Sequence, residues 1–509
     1  MTIEGRRATV LQVPLGLLLG GTLALAFPPF GWWPLAPLVV AVCTWLVSPD
    51  RLRRAILLGL ATGLGFFLVL LHWMQVVGSD AWIALSALEA SFYALLFGAV
   101  ALVRRLPGWP VWTACLWVLT ELAREYVPFG GFPWGRLAFA QADSPYRALA
   151  SLGGFALLTF AVALTGSLLA AAAMARARFA RIGLVVGALV LPAVALLIPL
   201  PVDGATSTIA VIQGNVPTSG LDAFGQRQAV LNNHVEATRR LAVDIAAGRS
   251  PRPALVIWPE NASDLDPFAD PAAAALIQSA VDAVDAPVLV GAVITNPADP
   301  TTILNVGILW GPTNSAAPGP GQQYAKRHPV PFGEYLPFRG VLSHVITRFN
   351  RIPRDFAAGQ HPGLFTVDSL TIGDVICFEV AYDKVVRDVI DGGAQALVVQ
   401  TNNATYGHTG QPEQQFAMAR LRAIETGRSV LVAATSGISG VVAPDGRLVA
   451  GSQEFEAWTY DGPVTIRTEL TPASRLGAGP ERILGILAAV ALLAATVRRR
   501  RRQEPTTDD

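Results

Sequence analysis

The sequence predicts a chain in two parts: a multi-span α-helical membrane domain and an α/β domain on the extracytoplasmic side. Three observations carry this reading. From Val10 to Leu200, apolar runs of roughly 17–25 residues follow one another, the length at which a helix crosses a hydrocarbon core. From about Val202 to Gly479 the pattern changes to short β-rich runs separated by turn residues and helix-like stretches. A last apolar run, Ile483–Val497, precedes a basic tail. Composition agrees, since 52% of the residues are hydrophobic, only 15% are charged and mean hydropathy is +0.45. A net charge of +1, with no basic, aromatic-interleaved patch outside the membrane flanks, argues against nucleic acid as a partner.

The apolar runs place spans at 10–27, 30–47, 55–77, 82–103, 110–127, 149–173, 182–200 and 481–497. Basic residues cluster at Arg6–Arg7, Arg51–Arg54, Arg104–Arg105, Arg176–Arg181 and Arg498–Arg502. Each later cluster follows an even number of spans, so all fall on one side of the membrane. The opposite connections, PPFGWWP at 28–34 and VVGSDAW at 76–82, carry aromatics and almost no cations. By the positive-inside rule both termini are cytoplasmic and the α/β domain is outside. A cleaved leader at Ala24–Phe27 is the competing reading of the first span, and it would break this charge alternation. The expected division is 1–201 for a membrane domain of about seven helices and 202–479 for the α/β domain. A C-terminal transmembrane helix at 480–497 and a basic cytoplasmic tail at 498–509 complete it.

Within 202–479, strands are expected at Ser207–Gln213, Ala254–Trp258, Pro287–Val293, Leu304–Trp310, Leu370–Ile376, Ala396–Gln400 and Val430–Ala434. Helices are expected at Gln226–Ala246, Ala272–Val284 and Gln411–Glu425. Several strands are apolar on nearly every residue, which calls for cover on both faces and hence a layered α/β domain.

Cysteine is scarce, with three in 509 residues, and Cys43 and Cys115 lie in predicted spans. Cys377 in GDVICFE therefore has no disulfide partner in its own domain. It sits where a strand runs out, the edge at which ligands and reactive side chains gather in α/β sheets. A buried structural cysteine is the bland alternative. Glu260 in WPEN follows another strand, and Lys326 and Glu334 lie in YAKRHPVPFGE. Taken singly, a glutamate after a strand is a solvated turn residue and a lysine after a tyrosine faces water. Taken together, a thiol, a carboxylate and an ammonium form a nucleophilic constellation. A free thiol has a pKa of about 8.5, so a carboxylate that takes its proton and a cation that favours negative charge both serve it.

These contexts resemble the Glu–Lys–Cys triad of the nitrilase, or carbon–nitrogen hydrolase, superfamily, whose fold is an αββα sandwich. With the spans on either side, nearly the whole chain resembles the bacterial apolipoprotein N-acyltransferase family. PFGEYLPF, TNNATYG, RLRAIETGR, SGISGVVAPDGR and the membrane loop FPWGRLAFAQADSP share the likeness. The resemblance implies that Cys377 attacks an acyl ester of a membrane phospholipid, phosphatidylethanolamine-like, to form a thioester. Glu260 is then the general base, and Lys326 stabilises the oxyanion. The acyl chain passes to the N-terminal α-amine of the diacylglyceryl-cysteine of an apolipoprotein, the last step of lipoprotein maturation. It implies a bacterial plasma-membrane enzyme without a cofactor. Glu334 is assigned to orienting Lys326 or assisting proton transfer. Glu379 either does the same or bonds backbone amides near the nucleophile. Two departures touch substrate shape: Phe378 stands where many members carry tyrosine, and no tryptophan follows Gln213-Gly214-Asn215, where Phe224 is the only stand-in.

Leu336–Pro362 interleaves apolar residues with four arginines and reads as an amphipathic lid or as a surface loop. Arg136 reads as a head-group contact or as an incidental cation in an aromatic belt. Glu89, Glu121 and Arg124 fall at or near membrane depth, and the three-residue spacing of Glu121 and Arg124 favours an ion pair within one helix. His72 reads as interfacial packing; His328 and His408 fall near strand ends and could line a cleft. No cluster has metal-ligand spacing and no nucleotide loop opens a helix, so neither a metal nor a nucleotide is expected. Two rivals share these features. A membrane-tethered amidase would use the same triad and give the acyl group to water. A transporter with a catalytically dead outer domain would show Gly/Pro-broken half-helices at midplane, whereas these spans are mostly Ala/Leu/Val-rich.

Overall fold

The computed structural model describes residues 3–216, 226–340 and 354–501, with side chains from Gln12 onward. The chain divides into two compact units, Met1–Pro199 with Arg475–Asp509, and Leu200–Ser474.

The first unit is helical. Its helices are α1 (Ile3–Ala24), α2 (Leu35–Leu46), α3 (Leu52–Leu70), α4 (Ser79–Val103), α5 (Trp109–Tyr126), α6 (Ala150–Met174) and α7 (Arg178–Ala195), and Gly479–Arg501 near the C-terminus. Among the described residues, five helices are long and apolar enough to cross a membrane: those ending at Leu70, Val103, Met174, Ala195 and Arg501. α2 has only 12 residues, and α5 carries Glu121, Arg124 and Glu125. Small residues let the helices touch backbone to backbone. A Cβ at Gly20 would lie 2.0 Å from the Thr62 carbonyl oxygen, and one at Gly65 would lie 2.1 Å from that of Leu17, so α1 and α3 cross where both are glycine. Leu18, Leu95, Phe179, Leu197 and Leu493 point outward, as lipid-facing side chains do.

The charged residues inside this unit pair across segments and not along one helix. Arg124 bonds Glu89 of α4 and the Trp134 carbonyl. Glu121 accepts from the Leu137 amide at 2.7 Å and the Thr159 hydroxyl at 2.6 Å, and faces Arg136 at 3.5 Å. The Glu121–Arg124 pair expected from spacing is therefore not formed. α5 directs the two side chains to different neighbours, so that each buried charge meets more than one hydrogen-bond partner, as it requires. Arg136 is likewise neither a head-group contact nor an exposed belt cation. It is buried between Glu121 and Glu125, with the rings of Phe139 and Phe155 beside it.

The second unit is a four-layer αββα sandwich. One sheet contains β1 (Ala205–Gln213), β2 (Leu255–Ile257), β3 (Val288–Thr295), β4 (Ile303–Gly311), β5 (Gly319–Ala325) and β12 (Trp458–Ile466), in the order β12-β1-β2-β3-β4-β5. The other contains β6 (Gly363–Val367), β7 (Leu370–Ile376), β8 (Ala396–Thr401), β9 (Val430–Ala434), β10 (Gly440–Val442) and β11 (Leu448–Gly451), in the order β11-β10-β9-β8-β7-β6. Alternation along the strands builds the layers. Ala210, Ile212, Val256 and Trp258 pack against α8 (Arg227–Ala246) and α9 (Pro271–Val284). Their neighbours Ile209, Val211, Leu255 and Ile257 meet Phe365, Ile372, Ile376, Val398 and Leu431 of the facing sheet. α10 (Asp383–Asp391) and α11 (Gln411–Thr426) cover the second sheet, where Gly373 leaves room for Val389. β1–β2–β3 and β7–β8–β9 run parallel, so the carboxyl ends of the strands in each set lie together.

Candidate active site

Four of the five residues singled out from the sequence lie just beyond strand ends, and Glu334 lies in the turn between Pro331 and Tyr335. Glu260 follows β2, Lys326 follows β5, and Cys377 follows β7 at the start of a short 3-10 turn, Cys377–Ala381. Cys377 adopts a left-handed backbone conformation, φ 56°, which costs a side-chain-bearing residue of the order of 1–3 kcal/mol. Such a turn lifts the side chain out of the strand's alternation, and the thiol is nonetheless buried.

Lys326 is the hub of the charges. Its Nζ lies 3.2 Å from Glu260 Oε1 and 2.8 Å from Glu334 Oε1, with Lys326 and Glu260 almost fully enclosed. Asn305 on β4 joins the same two carboxylates, donating from Nδ2 at 2.7 Å to Glu260 and 3.2 Å to Glu334. The remaining oxygens are also taken: Glu260 Oε2 accepts from the Asn402 amide at 2.8 Å, and Glu334 Oε2 from the Val330 amide at 2.7 Å. Burial works against the Lys326 ammonium, yet Glu260, Glu334 and Cys377 outweigh it and hold its pKa well above the ordinary lysine value.

Cys377 is the fourth member of this electrostatic group. Burial pushes its thiol up to about 12 and Glu260 adds to the rise, while Lys326 and a hydrogen bond with the Thr401 side chain pull the other way. The resting group is therefore a neutral thiol beside a carboxylate–ammonium–carboxylate cluster, and not a preformed thiolate. Such a thiol reacts only if a base removes its proton during attack, which is work that a neighbouring carboxylate can do.

Glu379 is placed differently. Its Oε1 accepts from the Arg327 amide at 2.6 Å and the His328 amide at 3.0 Å; its Oε2 accepts from the Ile376 amide at 2.8 Å and the Tyr324 hydroxyl at 2.7 Å. Burial raises its pKa, and these donors oppose the rise. Glu379 thus ties the loop after Lys326 to the residue before Cys377. His328 stacks on Tyr382 at 4.4 Å, and His408 lies on the exposed surface against Phe455 and Glu454. Asn305, Thr401 and Asn402 were not singled out from the sequence. Two of them fall in TNNATYG, one of the segments that carry the family likeness, and Asn305 sits in an ordinary apolar strand. Most of the arginine-rich stretch (341–353), like Phe224, lies outside the described residues.

An αββα domain with a glutamate, a lysine and a cysteine assembled at its strand ends, carried on a chain with several apolar helices, defines a carbon–nitrogen hydrolase-type enzyme of the membrane. Comparison with known families agrees at both ends. The apolipoprotein N-acyltransferase N-terminal domain matches residues 19–168, and the carbon–nitrogen hydrolase domain matches residues 208–466. The chain is 40% identical over 512 residues to an apolipoprotein N-acyltransferase of Mycolicibacterium smegmatis, covering 95% of this chain and 85% of that protein. It is 32% identical over 519 residues to one from Methylococcus capsulatus, covering 95% of each. Among solved structures, a variant of the Nesterenkonia AN1 amidase from the nitrilase superfamily aligns at 17% identity with a TM-score of 0.38, covering 54% of this chain and 95% of that one. The chain belongs to the apolipoprotein N-acyltransferase family.

Proposed function

We propose that the protein transfers an acyl chain from a membrane phospholipid to the N-terminal α-amine of a diacylated apolipoprotein, through a thioester on Cys377. The observation that carries the mechanism is the enclosed Lys326 hub, which holds two carboxylates beside the one thiol of the unit. Glu260 takes the thiol proton as sulfur attacks the ester carbonyl. The Lys326 ammonium stabilises the oxygen that becomes negative. When the tetrahedral intermediate collapses, the C–O bond breaks and Glu260 returns the proton to the glycerol oxygen, releasing a lysophospholipid. The α-amine then attacks the thioester and gives a proton to Glu260; the C–S bond breaks and the thiolate recovers that proton. Glu334 positions Lys326, and Glu379 fixes the turn that carries Cys377.

The arginine clusters support a topology in which both termini are cytoplasmic and the Leu200–Ser474 unit faces outward, where phospholipid and lipoprotein precursor meet. The test is incubation of purified protein with phosphatidylethanolamine and a diacylated lipopeptide, followed by mass spectrometry of both. The expected result is one acyl mass on wild-type protein, then its appearance as an amide on the lipopeptide, with Cys377→Ser losing transfer by at least about a hundredfold. Release of free fatty acid with no modified lipopeptide would assign the protein to hydrolysis instead.

A further inference from the structure

One buried acid is not used by this mechanism. Asp374 lies on β7, three residues before Cys377, wholly enclosed between the two sheets. Apart from the adjacent Val375 amide, its carboxyl oxygens meet no donor, and Oε1 of the enclosed Gln400 on β8 has no hydrogen-bond partner. These orphaned atoms are neighbours across Gly307 of the facing sheet. A Cβ at Gly307 would lie 2.8 Å from Asp374 Oδ2 and 2.9 Å from Gln400 Oε1. The Gln400 amide cannot be turned round to relieve this, because its Nε2 donates to the Trp258 carbonyl at 2.6 Å. Acceptor oxygens brought together at this depth without a donor between them leave lone pairs unsatisfied. A proton on the Asp374 carboxyl group removes the conflict.

We propose that Asp374 is a neutral carboxylic acid that donates its O–H to Gln400 Oε1, directly or through one water, and that this link positions Cys377 against Glu260. It rests on the reading of Cys377 and Glu260 given above. The connection runs from β7 through Gln400 to the Trp258 carbonyl, two residues before Glu260. Gln400 itself precedes Asn402, whose amide holds Glu260. Gly307 is two residues beyond Asn305, which holds Glu260 and Glu334. One polar link thus spans the strands carrying the nucleophile, the base and the groups that grip the base. Its surroundings favour the neutral form: burial first, then the Glu379 and Glu260 carboxylates, hold the acid well above the ordinary aspartate range, with the Val375 amide alone opposing. Tyr324 is the remaining titratable group beside it.

Two measurements test the link independently. Infrared difference spectroscopy of resting wild type against Asp374→Asn at neutral pH should show a carboxylic-acid C=O band lost in the variant; its absence means a charged Asp374 and overturns the proposal. Kinetically, Asp374→Asn keeps a donor toward Gln400 and should acylate within about threefold of wild type. Asp374→Leu and Gln400→Leu should each slow acyl-enzyme formation tenfold or more, at little changed donor KM, with the double variant no slower than either single. Wild-type rates in both leucine variants would refute it. If Asp374→Leu does not fold, the infrared band and Gln400→Leu decide. Alkylation of Cys377, mapped by mass spectrometry, should follow the same order. Because neither the band nor alkylation needs acyl transfer, failure of the link and failure of the proposed function are told apart.

Discussion

Replacing Lys326 by methionine removes the cation and keeps most of the side-chain volume. Glu260 Oε1 and Glu334 Oε1 both contact Nζ, so they lie no more than about 6 Å apart and would face each other with only the Asn305 amide between them. At an effective dielectric of about 20, two unit charges at that distance repel by about 3 kcal/mol, equivalent to about two pKa units. In wild type the attraction of both carboxylates to Lys326 offsets this repulsion, and in the variant the repulsion stands uncompensated. The pair should therefore take up a proton more readily than in wild type, which weakens Glu260 as a base. Oxyanion stabilisation is lost as well, worth about 10²–10³ in rate. The expected outcome for Lys326→Met is acyl-enzyme formation at least a thousandfold slower at pH 7. The residual rate should rise with pH over a range at least about two units higher than in wild type. The assay is intact-mass detection of acylated protein in single-turnover time courses between pH 6 and about pH 10. A folded variant whose slower rate keeps the wild-type pH profile would refute the charge-coupling argument. One that acylates at wild-type speed would remove Lys326 from the mechanism.

Because the Cys377 thiol is raised to about 12, on the order of one molecule in 10⁵ carries a thiolate at pH 7. Alkylation of resting Cys377 should then climb about tenfold per pH unit through the alkaline range; a plateau below pH 8 would mean a preformed thiolate. Glu379→Gln turns an NH₂ toward donors, leaving at least one backbone amide unmatched, and should lower stability by about 1–3 kcal/mol, read as a lower thermal midpoint together with slower acylation. An unchanged midpoint would contradict the four-donor assignment. Arg422 is enclosed and bonds Asp383, Glu425 and the Val380 carbonyl of the turn beyond Cys377, so Arg422→Met should cost about 3–5 kcal/mol. The exposed pair Arg249–Asp244 is the control, and Arg249→Met should change stability by less than about 0.5 kcal/mol.

Much of the layered domain could be read from the chain because its central strands are apolar on successive residues. Only burial on both faces explains VLVGAV or ALVVQ, and all seven expected strands occur. The short strand expected to end at Lys326 is β5, whereas the edge strand β12 escapes the sequence reading. It reads WTYDGPVTI, with polar and turn residues that resemble a loop until a partner strand fixes them. α10, Asp383–Asp391, was hidden for another reason: DKVVRDVID packs only one apolar stripe, and nine residues give the periodicity little room.

Single charged residues were harder to read than the elements that carry them. Sequence spacing offers Arg124 a partner three residues away, but an enclosed guanidinium needs several acceptors at once, and those came from α4 and the segment following α5. The same reasoning separates Glu334 from Glu379. Both are glutamates close to the proposed triad, and the sequence left orienting or backbone-binding roles open for Glu379. The difference lies in what each oxygen meets: Glu334 shares Lys326 and Asn305 with Glu260, so its charge acts on the reacting group. Glu379 accepts from three backbone amides and a phenol, so it acts on where the chain goes. Neutralising Glu334 should therefore alter the pH profile of acylation and lower the thermal midpoint less than neutralising Glu379, since Glu334 accepts from one backbone amide and Glu379 from three. If Glu334→Gln instead lowered stability as far as Glu379→Gln and left the pH profile unaltered, Glu334 would be a structural brace, and the electrostatic coupling through Lys326 would have no catalytic weight.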